Sequence, residues 1–165
     1  MTYTLHRALR NWGAEFILYI SPSFFALKIL HVKAGTKGGL QYHHFKDEAG
    51  FIIDGKLRIL KGATIDDLAE SILTSGSFFS FPPGIIHQEE ALTDTFILEV
   101  SSPHLNDRVR YDRDPDNTLP STCRSDVVTL SDSTLIPMQL VELGFSKVDL
   151  CELPEKIRTI ASFYL

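Results

Sequence analysis

The first two thirds of the chain are cut into short apolar runs of strand type, each closed by glycine, proline or aspartate before a helix of ordinary length could form. Such runs fall at 15–20, 24–32, 51–53, 56–60, 71–75, 77–81 and 95–100. Several short strands at close spacing, with turn signals between them, are the pattern of an antiparallel sandwich or barrel. Asp54-Gly55, between two of the runs, reads as a two-residue hairpin turn that needs positive φ at its centre. Residues 64–70 read as a loop, and along 95–100 Phe96, Leu98 and Val100 share one face. With 165 residues and 44% hydrophobic content, the chain holds enough apolar material for one buried core, hence one domain with an appendage.

Two segments, 35–55 and 76–87, add chemistry to this frame. Side chains two apart on a strand point the same way, so Gln41 and His43 converge while Tyr42 and His44 turn to the opposite face. Glu48 enters after a turn, and His87 comes from the second segment. Taken singly, each histidine reads as a surface or hydrogen-bonded residue; the joint spacing points instead to one divalent metal ion. Two imidazoles, one carboxylate and one amide make a mixed nitrogen and oxygen set suited to zinc, iron, nickel, cobalt or manganese. Gln41, a neutral and weaker donor, either ligates or supports the site from behind.

The intervals themselves resemble a known family. Gly35, Gln41, His43, Glu48 and Gly55, followed by Gly76, Pro82, Gly84 and His87, keep the spacing of the two cupin motifs. Gln41 replaces the first histidine, and Ala91 stands where asparagine is expected. The run L-Q-Y-H-H-F-K-D-E at 40–48 is similar to that of mannose-6-phosphate isomerases and of the isomerase half of bifunctional mannose-6-phosphate isomerase/GDP-mannose pyrophosphorylases. Trp12, Gly13 and Glu15, and the strand at 28–35, are similar to their opening segments. The resemblance covers 10–114, and the family's closing segment is only partly kept at 109–114.

This resemblance implies an all-β cupin double-stranded β-helix, a jelly-roll barrel, over 1–114; the shift to loop composition around Pro115 and the apolar spacing near the end read as a partly helical C-terminal extension over 115–165. The resemblance also implies one divalent metal ion at Gln41, His43, Glu48 and His87, and an aldose–ketose isomerase acting on a sugar or sugar phosphate. Arg110, which matches an arginine of the related closing segment, and Lys46 and Lys28 are the candidates for holding an anionic substrate, since guanidinium and ammonium groups pair with phosphate oxygens. The competing reading of each is a solvated surface charge. The sequence does not name the catalytic base. Two other functions fit the same motifs: a non-catalytic cupin that binds a sugar or other small ligand, and a cupin dioxygenase. The dioxygenase would commonly use three histidines and a glutamate, so Gln41 weighs against it.

The net charge of −5, without any lysine or arginine cluster, argues against nucleic acid or an anionic membrane as partner. The N-terminus lacks the apolar stretch of a signal peptide and no apolar run reaches membrane-spanning length, so a cytoplasmic protein is expected. Cys123 and Cys151 read as free thiols of a reducing compartment. His31 reads as a core histidine, and Trp12 as structural. Residues 133–144 read as a short helix stopped by Gly144. Residues 154–165 read as an amphipathic helix with Ile157, Ile160, Ala161 and Tyr164 on one face, covered either by the chain's own barrel or by the second subunit of a homodimer.

Overall fold

The computed structural model describes residues 5–21, 23–111, 140–149, 151 and 153–162, with 160–162 in backbone only. Among the described residues twelve strands form two antiparallel sheets. The larger contains β1 (Leu5–Arg10), β2 (Gly13–Ser21), β3 (Phe25–Val32), β5 (Glu48–Asp54), β8 (Phe78–Phe81), β10 (Thr95–Ser101) and β12 (Ser146–Val148). The smaller contains β4 (Gln41–Tyr42), β6 (Lys56–Gly62), β7 (Ala69–Thr74), β9 (Ile86–Ala91) and β11 (Val109–Arg110). Spatial orders are β12-β1-β2-β3-β10-β5-β8 and β11-β4-β9-β6-β7. From β3 to β11 the chain crosses between the sheets at every connection except the β6–β7 hairpin, which makes the architecture a jelly roll. Among the described residues no helix is long and apolar enough to cross a membrane.

The crossings correct one expectation. Asp54-Gly55 does not close a hairpin: β5 lies between β10 and β8, whereas β6 pairs with β7 and β9 in the other sheet. Gly55 is a corner, with φ of 112°, and its N–H donates to Ser75 Oγ at 3.1 Å. A Cβ there would sit 2.6 Å from the Asp94 carbonyl oxygen and 2.7 Å from Thr95 Cα. A tight reversal within one sheet and a step between sheets both need positive φ, so the dipeptide does not distinguish them. A second correction concerns 64–70, where Ile65–Asp67 forms one turn of 3-10 helix. Asp67 Oδ1 accepts the Thr64 N–H at 2.7 Å and closes that turn, and β7 starts directly after it.

Alternation along the large sheet separates two environments. The inward side chains of β3 and β10 include Leu30, Val32 and Ile97, which pack with Ile52, Leu57, Ile59 and Phe81 between the sheets. One step along the same strands, the inward positions become Lys28 and Glu99, both buried. Half of the barrel interior is therefore apolar and half is charged. Phe96 and Ile29 face outward, where they join Phe16, Val148, Leu153 and Ile157 in a second core. His31 stacks on Phe96 there, ring centroids 4.5 Å apart.

The outward core is closed by the segment beyond residue 114. Its strand β12 pairs with β1, Leu5 opposite Val148. Helix α1 (Glu155–Ser162) begins one residue after Pro154, whose carbonyl accepts the Ile157 N–H at 2.9 Å. Ile157 is wholly buried, while Lys156 pairs with Asp54 and lies 5.6 Å from the Phe96 ring centroid. The Ile160 side chain, Tyr164, Cys123 and Pro137 lie outside the described residues, and Cys151 is an exposed free thiol. Residues 140–142 are helical and stop at Gly144, φ 82°. Leu140 and Phe145 beside that stop are buried against Ala8 and Ile17.

Gly55→Val is expected to destabilise the fold by about 3 kcal/mol, through positive φ on a β-branched residue and overpacking against β10. Urea denaturation checks this, and a midpoint equal to wild type would refute the corner's role.

Candidate metal centre

Gln41 sits on the two-residue strand β4, opposite His87 on β9 and Arg110 on β11. Tyr42 turns away into a small cluster with Ile86 and Val109. His44 also faces away, its ring edge-on to Tyr42 at 5.1 Å. Beyond Tyr42 the chain leaves the sheet and wraps around Asp107, a buried residue that sequence reading did not single out. The Asp107 carboxylate accepts the backbone N–H groups of His44 at 3.2 Å, Phe45 at 2.5 Å and Lys46 at 2.8 Å. Its carbonyl oxygen accepts from His43 Nδ1. The second motif is tied to the first by the Gly84 N–H, which donates to the His43 carbonyl at 2.7 Å.

These contacts bring His43, Glu48 and His87 together in the barrel interior, all three buried, with ligand atoms within 4.8 Å of one another. Glu48 Oε1 is 3.4 Å from His43 Nε2 and 3.2 Å from His87 Nε2. Gln41 Nε2 is 3.3 Å from His87 Nε2, and half a turn of the amide exchanges its nitrogen for its oxygen. Each histidine spends its Nδ1 on a backbone carbonyl, Asp107 for His43 and Ile85 for His87 at 3.0 Å. That leaves both Nε2 lone pairs aimed at the carboxylate, the arrangement that outer hydrogen bonds impose on metal-binding histidines. His43 Nε2 is buried without a hydrogen-bond partner among the described residues. Converging lone pairs of two imidazoles and a carboxylate are satisfied by a cation, so the donor set fits a divalent metal ion.

The rest of the charged interior is a chain of alternating signs. Arg10 Nε meets Glu15 at 2.7 Å, Lys28 meets Glu15 at 3.6 Å and Glu99 at 3.2 Å, and Lys46 meets Glu99 at 3.2 Å and also pairs with Glu48 Oε2. Burial pushes the Glu48 carboxyl up, but the Lys46 ammonium beside it holds it well below the usual carboxylate range. Burial likewise opposes the Lys46 charge, and Glu48 and Glu99 overcome it, raising its pKa. Glu15 is lowered from 4.5, because Lys28 and Arg10 outweigh its burial. Glu89, two residues beyond His87 on β9, is raised to about 7 by burial and by the Glu48 charge.

All these charges line a cavity of about 420 Å³ above the metal donors. Lys28 and Lys46, read from sequence as anion-binding candidates, do line it, but each ammonium is shared between two carboxylates. Arg110 reaches the cavity with its guanidinium lying over Gly39, where a Cβ would collide with it. Trp12 lines the cavity while packing on the inner core. Arg10, Glu89 and Glu99 escaped the sequence reading, which named Glu15 only as part of an opening segment and gave it no place in the site. The signal that exposes Glu15 and Glu99 is a carboxylate inside an otherwise apolar strand run. Glu142, Leu143 and Phe145, from beyond residue 114, form part of the cavity wall.

No family model matches the chain, and no curated protein matches it. Solved structures do. The capsular polysaccharide assembling protein CapF from Staphylococcus aureus is similar with a TM-score of 0.56 at 21% identity, over 66% of this chain and 34% of that one. This chain therefore spans about a third of CapF. An RmlC-like cupin from Shewanella frigidimarina is similar with a TM-score of 0.51 at 17% identity, over 59% of this chain and 82% of that one. At these identities the likeness is one of fold.

His87→Ala is expected to lower bound divalent metal from one ion per chain to near zero, measured by elemental analysis after dialysis; full occupancy in the variant would refute the ligand set. Glu15→Gln is expected to cost about 3 kcal/mol at neutral pH, the scale of breaking a buried pair. The lowered carboxyl of Glu15 stabilises fully above 4.5 and loses its contribution as pH falls through its folded-state value. The gap between variant and wild type should therefore close in acid, as followed by urea denaturation across pH.

Proposed function

We propose that this chain, which has the cupin fold, is a metal-dependent aldose–ketose isomerase acting on a sugar or sugar phosphate. The observation that carries the reading is a candidate metal donor set of which Gln41, His43 and Glu48 line a polar cavity, with His87 buried directly behind them. His43, Glu48, His87 and Gln41 would hold the ion from one side, and the other side faces a space large enough for a hexose phosphate. A divalent ion bound there supplies Lewis acidity toward a carbonyl oxygen and toward the charge that develops beside it.

The lining residues set the substrate's charge. Five cationic side chains (Arg10, Lys28, Lys46, Arg108, Arg110) face five carboxylates (Glu15, Glu48, Glu89, Glu99, Glu142) among the described residues of the wall. The bare cavity is thus close to neutral, and a bound divalent cation makes it positive and receptive to an anion. Arg110, which lines the cavity from β11, would meet a terminal phosphate while the carbonyl end of the sugar lies toward the metal. Lys28 and Lys46 hold the carboxylates around that end ionised and in place. The neutral Gln41 in the donor set favours this reading over a dioxygenase.

The metal-loaded protein is expected to exchange solvent deuterium into the carbon beside the carbonyl of a hexose or pentose phosphate, followed by NMR. Chelation should abolish this, and Arg110→Ala should raise KM for the phosphorylated sugar about tenfold or more while changing turnover of its unphosphorylated counterpart little. Tight sugar binding without exchange, across several metals, would favour the non-catalytic reading; oxygen consumption with Fe(II) would favour the dioxygenase.

A further inference from the structure

We infer that Glu89 is the residue that carries the proton between the two substrate carbons, an assignment that rests on the isomerase reading above. An aldose–ketose interconversion needs a group inside the cavity that accepts a carbon-bound proton and returns it to the neighbouring carbon. Of the carboxylates that line the cavity, Glu15, Glu48 and Glu99 are each held by a lysine or arginine at ion-pair distance. Glu142 is exposed to water at the cavity edge. Lys28 and Lys46 each bridge two carboxylates, so both side chains are already engaged in ion pairs. Among the described residues no lysine or arginine pairs with Glu89.

Position points the same way. Glu89 follows His87 by two residues on β9, so both side chains leave the strand on its inward face, about 7 Å apart along it. His87 goes to the metal donors and Glu89 to the cavity wall beside them. The backbone there is pinned on both sides: Glu89 pairs with Ile59 on β6, and its carbonyl accepts the Gly38 N–H at 2.9 Å. A sugar whose carbonyl end lies over the donors therefore presents its neighbouring carbons to Glu89. In the step, the carboxylate takes the proton from the hydroxyl-bearing carbon, and the C–H electron pair becomes the C=C bond of an enediol. The carbonyl π pair moves to its oxygen, which gains the proton lost by the hydroxyl on the carbon that Glu89 deprotonated; that O–H pair forms the new carbonyl, and the C=C pair forms the new C–H bond. Glu89 then returns its proton to the former carbonyl carbon, and no electrons enter or leave.

The test uses the metal-loaded full chain and Glu89→Gln, a near-isosteric change. The variant is expected to keep one metal per chain and the wild-type melting temperature, and to lose deuterium exchange and turnover by about 10²–10⁴-fold with KM little changed. In Glu89→Ala, added formate should restore part of the exchange in a concentration-dependent way, which a merely structural role would not produce and which decides the matter if the Gln variant folds poorly. Exchange within fivefold of wild type in Glu89→Gln, loss of metal from it, or no rescue by formate would overturn the assignment while leaving the isomerase reading standing. Absence of exchange in the wild-type protein on every sugar phosphate tried would remove both.

Discussion

Ionising a carboxylate inside a β-barrel carries a heavy desolvation cost that opposite charge beside it offsets, and Glu48 is a carboxylate buried in this barrel. Much of the interior answers that requirement. Lys46 pairs with one of its oxygens, leaving the other for His43 and His87. The buried Lys46 then needs a second partner, Glu99, which needs Lys28, which needs Glu15, which Arg10 completes at the cavity edge. Each added charge relieves the one before it, and the series ends only where solvent can finish the task. The charged half of the barrel is thus one connected arrangement whose inner end is a carboxylate of the candidate metal centre.

Backbone geometry decides where that arrangement sits. The crossing corners at Gly55, Gly76 and Gly84 all have positive φ, and they carry the chain between sheets so that β4, β5 and β9 deliver donors to one point. Asp107 does the same work electrostatically. Its carboxylate gathers three consecutive N–H groups, and its carbonyl orients His43. Removing it would leave those amides unpaired and the first motif without a fixed path from Tyr42 to Glu48.

The candidate donors were legible in the sequence because they sit in two short segments: Gln41, His43 and Glu48 fall within eight residues, and His87 follows a glycine turn into β9. The long strands were legible for a similar reason, since 24–32 and 95–100 carry their own alternation. Strands β1 and β9 were not, because L-H-R-A-L-R and I-H-Q-E-E-A mix charge with apolar residues on both faces. One face of β9 carries His87 of the candidate metal centre and the other an ion pair of Glu90 with Arg58, so its composition follows its neighbours. Asp107 was illegible because its partners lie some sixty residues upstream. Phe96 and Leu98 were read correctly as one face, but only the fold reveals that this face turns outward, to be covered from beyond residue 114.

That cover links the distal segment to the site. Leu140 and Phe145 pack against β1 and β2, which places the Leu143 carbonyl 3.4 Å from Arg10 Nη2 and the Phe145 ring 5.4 Å from its guanidinium carbon. Arg10 is the outer end of the charge series that begins at Glu48. Its guanidinium is therefore fixed by a carboxylate on one side and by a carbonyl and an aromatic face on the other. Buried charge pairs depend on geometry more than hydrophobic contacts do, since a small displacement leaves an ion without its partner in a medium that cannot solvate it. A segment read from sequence as an appendage thus supports the cavity in two ways, by forming part of its wall and by holding in place the residue on which the last ion pair depends.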